Sequence, residues 1–152
     1  MFKIMKKAIL FGIALVGALV SMTSFTQAQT QTTQVTISGI RSGNGQILIN
    51  VFKDNATYDK EKPVKTFVFD KKGLVDGKLV VPCPLEPGVY GLTLVDDENS
   101  NGKIDKNLMG MPKEGFGFSN FFMEKMKKPA FDDFKVDLSS ANAPVGIRIK
   151  YM

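Results

Sequence analysis

The residues best suited to chemistry stand in one short run, Asp96-Asp97-Glu98-Asn99-Ser100-Asn101-Gly102-Lys103-Ile104-Asp105. From Asp97 onward the order is D-x-N-x-N-G-x-I-D, which fills positions 1, 3, 5, 6, 8 and 9 of an EF-hand-type calcium loop. Alternate oxygen-bearing side chains on a tightly wound backbone converge on one centre. The expected ligands are Asp97, Asn99, Asn101 and Asp105 through their side chains and Lys103 through its carbonyl, with Gly102 allowing the bend and Ile104 tying the loop to the core. Hard oxygen donors of this kind suit calcium. Leu108 stands where a bidentate Glu would close the shell, and the preceding segment has a strand pattern. The expected affinity is therefore weak, on the order of 10⁻⁴ M. An Asn-Gly polar hairpin without an ion is the simpler use of the same residues.

Much other chemistry is excluded by composition. The chain has no His and one Cys. A Ser-His-Asp triad, a His-ligated zinc or copper centre, an internal disulfide and a CxxC redox pair are all ruled out. Asp132 and Asp133 are adjacent, so on a strand they point to opposite faces and cannot flank one glycosidic bond. Cys83 sits between Pro82 and Pro84 with no cation beside it in sequence, which favours a packed thiol over a reactive one.

The elements that must position the acidic run begin after a leader. Lys3, Lys6 and Lys7 precede 13 residues without a polar side chain, Ala8 to Val20, and then Thr26-Gln27-Ala28. This is the layout of a secretory signal peptide. The apolar stretch would span about 20 Å, short of the ~30 Å hydrocarbon core, so it is not a transmembrane anchor. The expected organisation is a cleaved signal at 1–28, a disordered lead-in at 29–34 and one domain at 35–152. The product is expected to be secreted, periplasmic or extracellular. Losing three lysines and no acid lowers the formal charge from +5 to +2. That balance gives no case for nucleic acid, and no later segment is apolar enough to span a bilayer.

Within the domain the apolar period is two. Val35-Ile37, Ile47-Ile49-Val51, Val64 to Phe69, Lys78 to Val81, Val89 to Val95, Phe134-Val136-Leu138 and Ile147-Ile149-Tyr151 make about seven short strands. Turn residues separate several of them, including Ser42-Gly43-Asn44-Gly45, Lys71-Lys72-Gly73 and Glu86-Pro87-Gly88. The expected fold is an all-β, antiparallel β-sandwich with one long loop insertion between Val95 and Phe131. Loops beyond about 15 residues usually carry function or their own packing.

That insertion contains Gly110-Met111-Pro112-Lys113-Glu114-Gly115-Phe116-Gly117-Phe118-Ser119-Asn120. Phe116 and Phe118 are expected on one side. They either plug the open end of the sandwich or form a ligand or partner surface with Glu114 and Asn120 as polar contacts. A short helix is expected over Ser119–Lys127, capped by Ser119, with Phe122 and Met126 on one side. The order L-x-P-G-x-Y, D-x-N-x-N-G-K-I-D, G-x-P-x-E-G-F-G-F-S-N and P-x-F resembles the secreted bacterial proteins grouped as domain of unknown function 2141, over about Val35 to Tyr151. The resemblance implies an immunoglobulin-like or transthyretin-like sandwich and no assigned activity. Family members often carry His where this chain has Asp96, so it passes no role to that position.

The resulting expectation is a secreted, non-catalytic module whose calcium-stabilised loop presents a Gly/Phe surface to an unknown ligand or envelope protein. One alternative is a structural or accessory subunit of a cell-envelope assembly. Another is an envelope polysaccharide hydrolase using Glu114 opposite Asp97 or Asp105.

Overall fold

The computed structural model describes residues 30–140 and 143–152; the leader expected at 1–28 lies outside them. Eight strands and two short helices follow in order: β1 Gln31–Ser38, β2 Gln46–Phe52, α1 Asn55–Asp59, β3 Lys65–Asp70, β4 Lys78–Leu85, β5 Val89–Asp97, β6 Gly115–Phe118, α2 Phe131–Phe134, β7 Lys135–Asp137 and β8 Val145–Arg148. They form a two-sheet β-sandwich. One sheet has the order β4-β1-β8; the other runs β3-β2-β5-β6, with β7 also pairing β5.

The sandwich core comes from period-two alternation. Val35 and Ile37 of β1, Ile47, Ile49 and Val51 of β2, and Leu92 and Leu94 of β5 meet Leu79, Val81 and Cys83 of β4 and Ile147 of β8. Each large side chain sealed there contributes roughly 1.5–3 kcal/mol. Burial pushes the Cys83 thiol up to about 12, so it packs as a small apolar group.

Several boundaries differ from expectation for identifiable reasons. β1 begins at Gln31 and takes in most of the expected lead-in, because Thr33 faces inward opposite Cys83. β4 runs on through Pro82 and Pro84 to Leu85. It is an edge strand, where a proline without an N–H is tolerated. β1 and β8 pair in parallel, Val35 opposite Val145 and Ile37 opposite Ile147, so the sandwich is not wholly antiparallel. Residues 119–130 hold no helix, and the short helix lies instead at Phe131–Phe134.

The insertion has its own packing. A second apolar cluster joins Phe52, Tyr58, Phe116, Phe118, Met123, Phe131 and Phe134, with Ile104 and Phe121 against it. Phe116 pairs with Val95 and Phe118 with Thr93, on the face of β5 opposite the sandwich core. The rings therefore cover the outer face of the five-stranded sheet. They do not plug its open end.

Candidate functional site

The acidic run starts at the end of β5, and the pleat sends its first two residues opposite ways. Asp96 follows Leu92 and Leu94 onto the core face; Asp97 lies on the outer side. Both are sealed from solvent. Asp97 acts as the hub of the turn. Its Oδ1 accepts the Asn101 N–H at 3.0 Å, and its Oδ2 accepts the Gly102 N–H at 2.8 Å and the Gln46 amide at 2.7 Å. Gly102 has φ +80, a conformation glycine adopts without strain. Asn99 and Asn101 both turn their side-chain amides to Asp105 Oδ2, at 2.7 and 2.9 Å. These bonds, Asn99 first, hold the Asp105 carboxyl below its usual range. Four of the expected ligands are thus gathered in one winding. Among the described residues no group of three or more His, Cys, Asp or Glu side chains is placed to share a metal, so this ladder rests on two carboxylates and two amides.

Glu114 is 5% exposed. Its Oε1 accepts the Glu98 N–H at 3.1 Å and its Oε2 the Asp105 N–H at 3.0 Å. The carboxylate thereby clamps both ends of the ladder. With both oxygens committed to backbone, Glu114 is not presented to a substrate as an acid or base. Lys113 N–H to the Asp105 carbonyl at 2.8 Å closes the same junction.

Phe116 and Phe118 are 8% and 9% exposed. Phe118 packs on Phe116, Phe121 and Phe134 at centroid distances of 5.2 to 6.3 Å. The expected ring platform is absent at these positions because the rings belong to the cover. The intervening glycines face the other way. A Cβ on Gly115 would lie 2.4 Å from the Tyr151 ring, and one on Gly117 would lie 2.6 Å from Ile147 and 2.9 Å from the Arg148 carbonyl. Neither has a positive φ, so glycine is needed for closeness rather than for bending.

Ser119 and Asn120 finish the block as backbone partners. β5 pairs with β6 up to Thr93 and with β7 from Gly91, which leaves Leu92 at the join. The Ser119 hydroxyl accepts the Leu92 N–H at 3.0 Å and donates to the Phe134 carbonyl at 2.6 Å. The Asn120 side chain accepts from Gly146 N–H at 2.7 Å and donates to the Pro144 carbonyl at 3.1 Å. Asn120 is exposed, yet its amide is spent on β8.

What the insertion does expose is a hairpin tip. Leu108 and Met109 are 107% and 84% exposed. The tip is shaped by Asn107, whose Oδ1 accepts the N–H groups of Met109 and Met111 at 2.9 and 3.0 Å. Lys106 and Lys113 flank it, and no acid lies between them. A separate open groove of about 700 Å³ is lined by Phe121 through Lys125 and Lys127 through Ala130 against Asn55, Asp59 and Asp133.

One constellation was not assigned from the sequence. Lys71, just after β3, lies buried with its Nζ 2.5 Å from Asp96 Oδ1. The Tyr151 hydroxyl donates to Asp96 Oδ2. Above them the Arg41 guanidinium sits 4.2 Å over the Tyr151 ring and pairs with Glu98. The signal for Asp96 was present, since one further step of the Leu92-Leu94 alternation turns it inward. Lys71, in a turn, gave none.

Among the described residues no helix is long and apolar enough to cross a membrane. No curated protein and no solved structure matches the chain. The family model described as uncharacterised protein conserved in bacteria, domain of unknown function 2141, matches residues 35–145, and the chain belongs to that family.

Proposed function

We propose that the chain is a secreted, non-catalytic β-sandwich module in which calcium, held by Asp97, Asn99, Asn101, the Lys103 carbonyl and Asp105, fixes the start of the insertion. The observation that carries this reading is the convergence of the Asn99 and Asn101 side chains on Asp105, in a turn already wound around Asp97. Turning the two amides about their last bond would aim oxygens where nitrogens now meet Asp105, at the cost of the bonds their oxygens accept from the Asn101 and Lys103 N–H groups. The buried Glu114 clamp supports the non-catalytic part, and the leader-like N-terminus supports secretion.

The module's output is the Leu108–Met109 tip rather than Phe116 and Phe118. Its base is the ladder, through the Lys113–Asp105 bond, so an ion at the ladder stiffens the tip. Lysines on either side match a partner in the envelope with an apolar, acid-rimmed surface.

An ion bound only by the folded state stabilises it by about 1.4–2.7 kcal/mol at ten to a hundred times Kd. Thermal melts in millimolar calcium and in chelator should differ by several degrees, and trypsin cleavage after Lys103, Lys106 and Lys113 should slow with calcium. Asp105→Asn should abolish both responses. Identical melts and identical cleavage rates would overturn the ion assignment.

A further inference from the structure

We propose that Lys71 and Asp96 are the two reactants of an intramolecular amide cross-link that the folded chain forms by itself. Lys71 follows β3 and Asp96 lies near the end of β5, with β2 between them in the sheet. The cross-link would tie the outer strand to the central one across the turn at Ser42–Gly45.

The geometry carries the proposal. Both side chains are sealed, at 1% and 0% exposure, with Nζ 2.5 Å from Oδ1. Yet Oδ1 has no partner in hydrogen-bonding geometry. Lys71 Nζ does donate to the carbonyls of Ser42 and Asn44, at 3.0 and 2.5 Å. The two carbonyls take two of the donor directions on Lys71 Nζ, and its remaining side faces the Asp96 carboxyl. Fixing nucleophile and carboxyl this closely supplies the orientation that a bimolecular amide synthesis lacks.

Tyr151 completes the set. Its hydroxyl donates to Oδ2, and burial, then that bond, pushes its ionisation far above the usual tyrosine range, so it remains a donor. As Nζ attacks the Asp96 carboxyl carbon, negative charge grows on Oδ2, where the Tyr151 hydroxyl stabilises it. One Nζ proton passes to Oδ1. A first Nζ proton has crossed to Oδ1 within the pair before the attack, so this second one completes a water; the C–Oδ1 bond breaks as it leaves and the N–C bond becomes an amide. Ammonium plus carboxylate holds the same three protons as amine plus acid, and as amide N–H plus water. No outside acid, base or oxidant is required.

The test is the intact mass of the purified full chain, measured under denaturing conditions. The expected product is one water lighter than its sequence mass. Digestion should yield a branched peptide joining residues 71 and 96, and trypsin should no longer cut after Lys71. Lys71→Met should restore the full mass, and Tyr151→Phe, which keeps both reactants and the ring, should slow the loss severalfold. A folded wild-type chain that keeps its full mass after long incubation would overturn the proposal. So would a lost water that maps elsewhere, such as a succinimide at Asp76-Gly77, or one that persists in Lys71→Met.

Discussion

The Asp97–Asp105 ladder and the Glu114–Asn120 block lie a few residues apart, and both look like surface chemistry in the sequence. Their side chains have opposite fates. The ladder's asparagines are exposed and bond to their own loop. The block's glycines and phenylalanines are spent on the fold, the glycines against Tyr151 and Ile147 and the rings in the outer cover. Alternating Gly and Phe here records one strand squeezed between two layers. A distinctive motif therefore marks this chain's architecture, while the less distinctive polar run keeps the atoms that a ligand could use.

The difference predicts where substitutions hurt most. Gly117→Ala drives a methyl into the Arg148 backbone, which cannot swing aside, and should cost about 3 kcal/mol. Gly115→Ala meets mainly the Tyr151 ring and Ile149 methyl, which have side-chain freedom, and should cost less. Urea denaturation would measure both. Neither cost should depend on calcium. If calcium rescued Gly117→Ala, the block and the ladder would be one unit and the contrast would fail.

Glu114 joins the two regions, and its replacement sharpens the comparison. Glu114→Gln keeps the shape but offers one acceptor oxygen to two backbone N–H groups, and its amide then faces the other N–H. The expected loss is about 1–3 kcal/mol. Because those N–H groups belong to Glu98 and Asp105, the damage should fall on the ladder. Calcium should offset part of it, in melts of the variant with and without the ion.

Much of this arrangement was legible beforehand. The alternation in β2 and β5 located the sandwich core, and Gly102 located the bend that winds around Asp97. The outer cover was not legible. Phe52, Tyr58, Phe131 and Phe134 come from separate elements, and no local period shows that they share a face with Phe116. The Ser119–Lys127 helix failed because Ser119 is needed at Leu92, where β5 changes partners, and not at a cap. Pro82 and Pro84 looked like a strand end because the edge position of β4 depends on the sheet order.

The smallest expected effect concerns acid. Hydrogen bonds from Arg41, then from Ser42, hold the Glu98 carboxyl below its ordinary range. The stabilisation it contributes is complete above the unfolded carboxylate's pKa and is lost as pH falls through the lowered folded value. Arg41 and Glu98 are partly exposed, so solvent screening limits the pair to less than about 1 kcal/mol. Asp105 is depressed in the same direction by Asn99 and Asn101, so two acid-sensitive carboxylates flank the ladder. The backbone N–H groups that seal the block, Leu92 to the Ser119 hydroxyl and Gly146 to the Asn120 side-chain oxygen, depend on hydroxyl and amide acceptors that do not titrate. Amide exchange read below the usual carboxylate range should therefore show Ser100–Lys103 losing protection while Leu92 and Gly146 keep theirs. Glu98→Gln should remove part of that acid response at the ladder. Equal loss at both places would mean that the ladder opens only when the whole sandwich does.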